Sequence, residues 1–95
     1  MHLTATLEHA QRLGALKTIK CTCGGGFAPI RISVDALADD WIELGSVYPA
    51  DSNMAQELPL SAPDLASETS VVRLRLCGST DAFGRVIIYE LGLFT

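Results

Sequence analysis

The stretch that decides the fold is residues 70–94, SVVRLRLCGSTDAFGRVIIYELGLF. In its first part, Val72, Leu74 and Leu76 alternate with polar or charged side chains. A period of two places the apolar side chains on one face of a β-strand and the polar ones on the other. The later run GRVIIYELGLF is rich in β-branched and aromatic residues, which favour strands. With GSTDAFG as the turn between them, the two runs predict a β-hairpin.

Further short strand patterns lie upstream. They are GALKTIKCTC (14–23), FAPIRISV (27–34), in which Ile30 faces the same way as the later Ile32 and Val34, and WIELGSVY (41–48). Residues 50–70 are mostly loop, with QELPL as the one strand-like piece, and the acidic residues 35–40 are compatible with a short helical turn. Short strands without a long helix predict one all-β domain over residues 1–95, a small antiparallel, jelly-roll-like β-sandwich of about seven strands.

Residues 2–13 fit two structures. HLTATLEH alternates polar and apolar residues as a half-buried strand does. Leu3, Leu7, Ala10, Leu13 and Leu16 would also line one face of a helix. The alternation favours a strand, and the helix stays open as the alternative.

Net charge and hydropathy exclude several classes of protein. The 95-residue chain has a net charge of −4, which argues against a general nucleic-acid binder, because phosphate neutralisation needs clustered Lys and Arg. Its apolar runs are far shorter than the roughly 18 residues of a transmembrane helix. The first residues lack the pattern of a secretory signal, which predicts folding in a cytosol.

The charges are segregated along the chain. Residues 1–31 are mainly basic, residues 32–72 carry eight acids and no Lys or Arg, and the last segment is mildly basic. Acidic loops and basic strand faces within one fold explain this layout. Head-to-tail contact between copies, with an acidic patch against a basic one, is the sharper hypothesis. Its candidate contact residues are Arg12, Lys17, Asp39, Asp40, Arg73 and Arg75.

The cysteines and glycines favour structural roles. Cys21, Cys23 and Cys77 are too few and too irregularly spaced for a disulfide framework, so they are predicted to be free thiols in the core. With His2 or His9 they would offer four ligands to zinc, but no second close pair supports this. Gly24, Gly25 and Gly26 lack the helix and Lys of a phosphate-binding loop, so a flexible hairpin loop is the better prediction.

The remaining polar motifs predict neither calcium binding nor catalysis. The acids between residues 35 and 43 do not match the spacing of a calcium loop. The two histidines both lie near the start of the chain, where a catalytic triad would have to recruit one of them. We therefore predict a non-enzymatic protein with no catalytic residue, no metal and no cofactor.

Trp41, Tyr48, Phe83 and Tyr89 could form a glycan platform, because flat aromatic rings stack on the apolar faces of sugars. Trp41 and Tyr48 are the favoured candidates. Packing in the core is the commoner role of aromatic side chains in a chain with only six of them. Both roles stay open for these two residues.

Two resemblances extend these expectations. VVRLRLCGSTDAFGRVIIYELGLF resembles the closing strands of jelly-roll domains of the carbohydrate-binding and galactose-binding type, and Trp41 with Glu43 is similar to an earlier strand of such modules. The compact β chain that begins MHLTATL resembles small accessory proteins of tailed-phage virions, including capsid decoration (cement) proteins. That second resemblance implies a structural protein that docks on a capsid shell or on copies of itself.

The predicted function is therefore assembly without catalysis. A phage virion accessory, made in the host cytoplasm and located in the virion, is the first hypothesis. Loops 24–29 and 50–68 are the segments expected to reach the partner. A carbohydrate-binding module and an acidic inhibitor of a basic protein are the alternatives, and the expected partners include neither nucleic acid nor membrane.

Overall fold

The computed structural model describes residues 2–12, 15–60 and 68–94. Every regular element in this part of the chain is a strand, so the all-β class is confirmed. The strands are β1 (His2–Arg12), β2 (Thr18–Cys23), β3 (Arg31–Leu37), β4 (Trp41–Val47), β5 (Gln56–Pro59), β6 (Glu68–Cys77) and β7 (Ile88–Phe94).

The strands form two antiparallel sheets. The larger sheet has the order β1-β6-β3-β4, and the smaller has the order β5-β2-β7. The pairing within each sheet is antiparallel throughout. The chain repeatedly leaves one sheet for the other, and β3–β4 is the one pair of consecutive strands that are neighbours among the described elements.

Both sheets contribute to one apolar core. In β2 every second side chain is buried, with Ile19, Cys21 and Cys23 facing inwards, and β6 has the same alternation from Val72 to Leu76. In β3 all five side chains at positions 32–36 are buried, including the polar Ser33 and Asp35. The core cluster takes in residues of both sheets: Leu16, Ile19, Cys21, Cys23, Ala28, Ile32, Val34, Ala36, Leu44, Val47, Leu60, Val72, Leu74 and Leu76. The alternation in the sequence thus identified the inward faces correctly.

The edge strand β4 of the larger sheet contains a β-bulge. Val34 pairs with Gly45 and Asp35 pairs with Glu43, so Leu44 has no partner of its own across the ladder. Gly45 has a φ of 148°, a conformation that side chains with a Cβ rarely adopt. The bulge places Leu44 in the core while Glu43 stays exposed on the outer face.

The predicted hairpin between the last two strands is wrong. β6 lies in the larger sheet and β7 in the smaller one, so they are not neighbours. The connection 78–87 bonds instead to the loop after β2: the Ile87 N–H donates to the Phe27 carbonyl and the Gly24 N–H to the Ile87 carbonyl, both at 2.9 Å. Alternation marks each strand, but it does not say which sheet the strand joins.

Of the other sequence predictions, some are confirmed by the structure and some are wrong. The helical turn at 35–40 is wrong, because β3 continues to Leu37 and residues 38–40 form the tight turn before β4. Residues 2–12 form a strand rather than a helix, and residue 13 lies outside the described residues. Ile30 is exposed ahead of β3 rather than buried with Ile32. The described ranges contain no helix long and apolar enough to cross a membrane.

Candidate functional site

Three connections meet at one end of the molecule. They join β2 to β3 (residues 24–30), β4 to β5 (48–55) and β6 to β7 (78–87). We call these three segments together the loop end. The first and third of these segments share the backbone hydrogen bonds at Ile87, and side chains link the first to the second.

Side-chain oxygens of the second segment bind the glycine loop. The Gly25 N–H donates to Asn53 Oδ1 at 2.6 Å, and the Gly26 N–H donates to Asp51 Oδ1 at 2.7 Å. Two successive N–H groups are the donors that a bound anion would use, and here the chain supplies its own acceptors. The triple glycine therefore serves to join two loops rather than to hold a phosphate. The predicted hairpin loop is wrong, because β2 and β3, the strands on its two sides, belong to different sheets.

Thr80 ties the third segment to the first. Its backbone N–H donates to the Ala28 carbonyl at 2.9 Å, and its Oγ1 accepts the Ala28 N–H at 3.0 Å. Ala28 is fully buried, so this reciprocal pair anchors the surface loop on the core. Hydrogen bonds that cross between loops restrict the loop conformations and reduce the entropy that binding would otherwise remove.

The loop end concentrates exposed apolar side chains. It carries five of the eight exposed large apolar side chains in the described part of the chain: Ile30, Tyr48, Met54, Phe83 and Ile87. Phe83 is 83% exposed, Met54 75% and Tyr48 68%. Single exposed apolar residues are ordinary, whereas a group of them among polar residues is typical of an interaction surface.

A guanidinium group lies beside the aromatic rings of the loop end. The Arg85 guanidinium lies 5.3 Å from the ring centroids of both Phe27 and Phe83. Asp81 fixes this guanidinium, accepting from Nε at 2.8 Å and from a terminal nitrogen at 3.3 Å. The hydrogen bonds from Arg85 lower the pKa of Asp81 below its ordinary value. Phe83 is therefore an exposed ring with an ordered cationic neighbour.

The outer face of the larger sheet carries a second group of charged residues. Asp35 is almost fully buried there, and Arg73 and Arg75 lie beside it on the neighbouring strand. The Nε atoms of Arg73 and Arg75 donate to Asp35 Oδ2 at 3.0 and 2.7 Å. The hydrogen bonds to Asp35 raise the pKa of Arg75. Both arginines proposed as partner contacts therefore already bind a carboxylate of their own chain.

The two residues of the proposed glycan platform are not brought together. Trp41 begins β4, and Tyr48 follows its last residue at the other end. The Arg73 guanidinium lies 4.2 Å from the Trp41 ring and covers one of its faces. Tyr48 is exposed and belongs to the loop end.

The other proposed contact residues are scattered. Asp39 and Asp40 are exposed in the β3–β4 turn, and Lys17 is exposed just before β2. Arg12 ends β1, and its side chain is not among those described. Among the described side chains, no ion pair joins Lys17, Asp39 or Asp40 to Arg73 or Arg75.

Two of the three cysteines lie in the core, and the third lies on the outer face of the larger sheet. Cys21 and Cys23 are buried in the core with their Sγ atoms 3.0 Å apart, whereas Cys77 lies on the outer face of the larger sheet, 3.5 Å from an Arg31 nitrogen. Burial, together with the hydrogen bond to Cys23, raises the pKa of Cys21 to about 12. The zinc alternative fails on this geometry, and no group of three potential ligands occurs among the described side chains.

Part of this surface was predictable from the sequence. Loops 24–29 and 50–68 were predicted to reach a partner, and Tyr48 and Phe83 were named among the aromatic residues of a possible glycan platform; residues 61–67 lie outside the described residues. The sequence did not indicate that residues 78–87 bond to the glycine loop, because residues 78–84 were predicted only as the turn of a hairpin.

No protein-family model, no curated protein and no solved structure matches this chain. The basis for assigning a function is therefore the chemistry of its surface.

Proposed function

We propose that this chain is a non-enzymatic assembly protein that docks on a larger protein structure through the loop end. The observation that carries the proposal is the group of five exposed apolar side chains on loops that hydrogen bonds tie to one another. The fold that presents them is proposed to be a jelly-roll-like β-sandwich, in which the two sheets cover the two sides of the shared core.

A protein surface is the partner that fits these side chains best. Aromatic residues, Met and Arg are enriched in protein interfaces, and buried aromatic anchors with a polar rim supply most of the binding energy. Phe83 is such an anchor, with Arg85 beside it, and Met54 and Tyr48 lie on segment 48–55, which bonds to the same glycine loop as the Phe83 segment. The hydrogen bonds between the loops reduce the ordering cost on association.

The assembly we propose is a virion, with the chain as a capsid decoration protein or a similar accessory. A small chain with a thin core, whose regular elements are all strands in its described part, suits a protein that gains stability by binding neighbours. Its location would then be the virion. A major-capsid or portal gene beside its own gene would support this proposal, and sugar-processing genes there would count against it.

The alternatives have less support from the surface. The Arg73 guanidinium covers one face of the partly buried Trp41, so of the two favoured platform residues Tyr48 offers the more open ring. The acidic segment offers less free charge than its composition suggests, because Asp35 is paired inside the chain and Glu57 lies 3.5 Å from Lys20. An inhibitor of a basic protein would need these carboxylates to be available.

The test is binding to shells built from the major capsid protein encoded beside this gene. We expect the wild-type chain to co-sediment with the shells and the variant Tyr48→Ser/Met54→Ser/Phe83→Ser to lose at least about a hundredfold in affinity, because hot-spot truncations cost about 2 kcal/mol or more each. Leu37→Ser, at the last residue of β3 and therefore at the end of this strand away from the loop end, is the matched control and should bind normally.

Two outcomes would overturn the proposal. One is that the triple variant, folded by circular dichroism, binds the shells as well as wild type. The other is the absence of any capsid gene nearby together with a glycan-array signal that Tyr48→Ser abolishes.

A further inference from the structure

The sheet edges are protected to different degrees. β5 has four residues and ends at Pro59, which cannot donate to an added strand. β4 is interrupted by its bulge, and β1 loses its register with β6 between Thr6 and Gln11. Short strands, prolines and bulges are the usual defences of an edge against further pairing.

β7 has the least defended edge. Its one irregularity lies near its start, where Cys23 pairs with Ile88 and Thr22 with Glu90. From Glu90 to Phe94 the register with β2 is continuous. No described strand pairs with the opposite edge of β7.

The backbone groups of β7 indicate which residues face this open edge. The Phe94 carbonyl accepts a hydrogen bond from the Lys17 N–H, which places the Phe94 backbone towards β2. Successive residues of an antiparallel strand direct their N–H and C=O groups to alternate edges. Leu91 and Leu93 therefore direct theirs away from β2.

We propose that β7 pairs antiparallel with β7 of a second copy, around a two-fold axis at Leu91. The two three-stranded sheets then join into one sheet of six strands. This interface uses none of the loop-end residues identified above, so it goes beyond the proposed docking function and does not depend on it.

Electrostatics favour this register. Pairing centred on Leu91 sets Glu90 opposite Gly92 of the second copy rather than opposite another Glu90. Gly92 pairs on its other side with Lys20, and the Phe94 ring lies over Gly92 with the Lys20 ammonium 4.7 Å from its centroid. In the dimer the Glu90 carboxylate of one copy therefore approaches this ring and the Lys20 ammonium of the other copy from the opposite side. Within the described residues Glu90 makes no ion pair of its own, whereas Lys20 lies 3.5 Å from Glu57.

The apolar side chains of β7 also become more buried in the proposed dimer. Leu91 and Leu93 lie against the core but are only half-buried, unlike Ile19 and Cys21 on the neighbouring strand. A second copy at this edge continues the sheet and places its Leu91 beside Leu91 and its Tyr89 beside Leu93. Removing this apolar surface from water favours the pair, and an isologous contact closes at two copies.

Cysteine cross-linking tests the register directly. In the Cys77→Ser background, Leu91→Cys places two thiols at the two-fold axis, where the paired Cα atoms are about 5.5 Å apart, within disulfide reach. Tyr89→Cys is the matched control. Position 89 is more exposed than position 91, but in the proposed register the two cysteines of the dimer are roughly 13 Å apart along the strands. With oxidised glutathione we expect Leu91→Cys to form the dimer about a hundredfold faster, because pairing sets a millimolar effective concentration.

A charge exchange provides the second readout. Glu90→Lys and Lys20→Glu should each weaken the dimer about fivefold in sedimentation equilibrium, and the double variant should regain most of that loss. A wild-type chain that stays monomeric at millimolar concentration would overturn the proposal. So would cross-linking that is as fast at position 89 as at 91, or a double variant no better than the single ones. The triple loop-end variant should still dimerise, which separates this interface from docking.

Discussion

Arg75 holds Asp35 with two hydrogen bonds, one from Nε to Oδ2 at 2.7 Å and one from a terminal nitrogen to Oδ1 at 3.1 Å. The Asp35 side chain is only 4% exposed although it lies on the outer face of a sheet. The contact joins the acidic middle of the sequence to the basic strand β6. Part of the charge segregation along the chain is therefore neutralised inside one molecule.

The first prediction concerns this carboxylate. Asp35→Asn should lower the free energy of unfolding by about 2 kcal/mol, because it removes the negative partner of two partly buried guanidinium groups. Glu43→Gln is the control, since Glu43 is exposed and lies 3.5 Å from an Arg75 nitrogen; its cost should stay below about 0.5 kcal/mol. Urea unfolding measures both. Equal costs for the two variants would contradict a dominant role of Asp35.

Alternation of side chains explains how much of the fold the sequence predicts. Val72, Leu74 and Leu76 are buried as their spacing indicates, because period two is a local property of an extended chain. The partner of a strand is not local. β6 and β7 were assigned to a hairpin, yet residues 78–87 bond to the loop after β2, through contacts that no pattern within the segment records.

The candidate site was predictable to a smaller extent for the same reason. Loops 24–29 and 50–68 were expected to reach a partner, and Tyr48 was named as a candidate for a glycan platform, with packing in the core as the alternative. That residues 24–30 and 48–55 join at one end depends on bonds such as the one from Gly25 to Asn53, which are far apart in sequence. Phe83 belongs to the surface because its loop bonds to Ala28 through Thr80.

The second prediction concerns the core thiols. The pKa of Cys21 is raised from 9.0 to about 12, so the folded chain keeps a proton that the unfolded chain releases. Its contribution to stability is complete below pH 9 and is lost as the pH rises towards 12. Urea unfolding between pH 8 and 11 should show this decline, and Cys21→Ala should show a smaller one. Identical slopes would contradict the burial of a neutral thiol.

Reactivity provides a separate measurement on the same residues. Cys77 is only half-buried, whereas Cys21 and Cys23 are buried. A thiol reagent at pH 8 should therefore modify one cysteine rapidly in the folded chain and the other two only on unfolding, because the thiolate is the reactive form. Mass spectrometry of the modified peptides identifies the site. Rapid labelling of Cys23 would be incompatible with this core.

The third prediction concerns the bond between the loops. Asn53→Ala removes the acceptor of the Gly25 N–H, whereas Asn53→Asp keeps an oxygen at the same place. Hydrogen exchange at Gly25 should become about fivefold faster in Asn53→Ala, which corresponds to about 1 kcal/mol for one hydrogen bond, and should change little in Asn53→Asp. NMR exchange rates measure the difference. If both variants exchange equally fast, this side chain does not hold the loop.

The last prediction concerns the cation beside Phe83. Hydrogen bonds from Arg85 lower the pKa of Asp81, so the carboxylate stays charged below its ordinary value of 3.8. The stabilisation that the Asp81 carboxylate gives to the loop is present above pH 3.8 and is lost as the pH falls through the lowered pKa of Asp81. The NMR signals of the Arg85 Nε–H and the Phe83 ring should therefore stay constant from pH 7 to pH 4 and change only in more acidic solution. Asp81→Asn should show the altered signals already at pH 7, and a wild-type midpoint above 4 would mean that Asp81 does not hold Arg85 in solution.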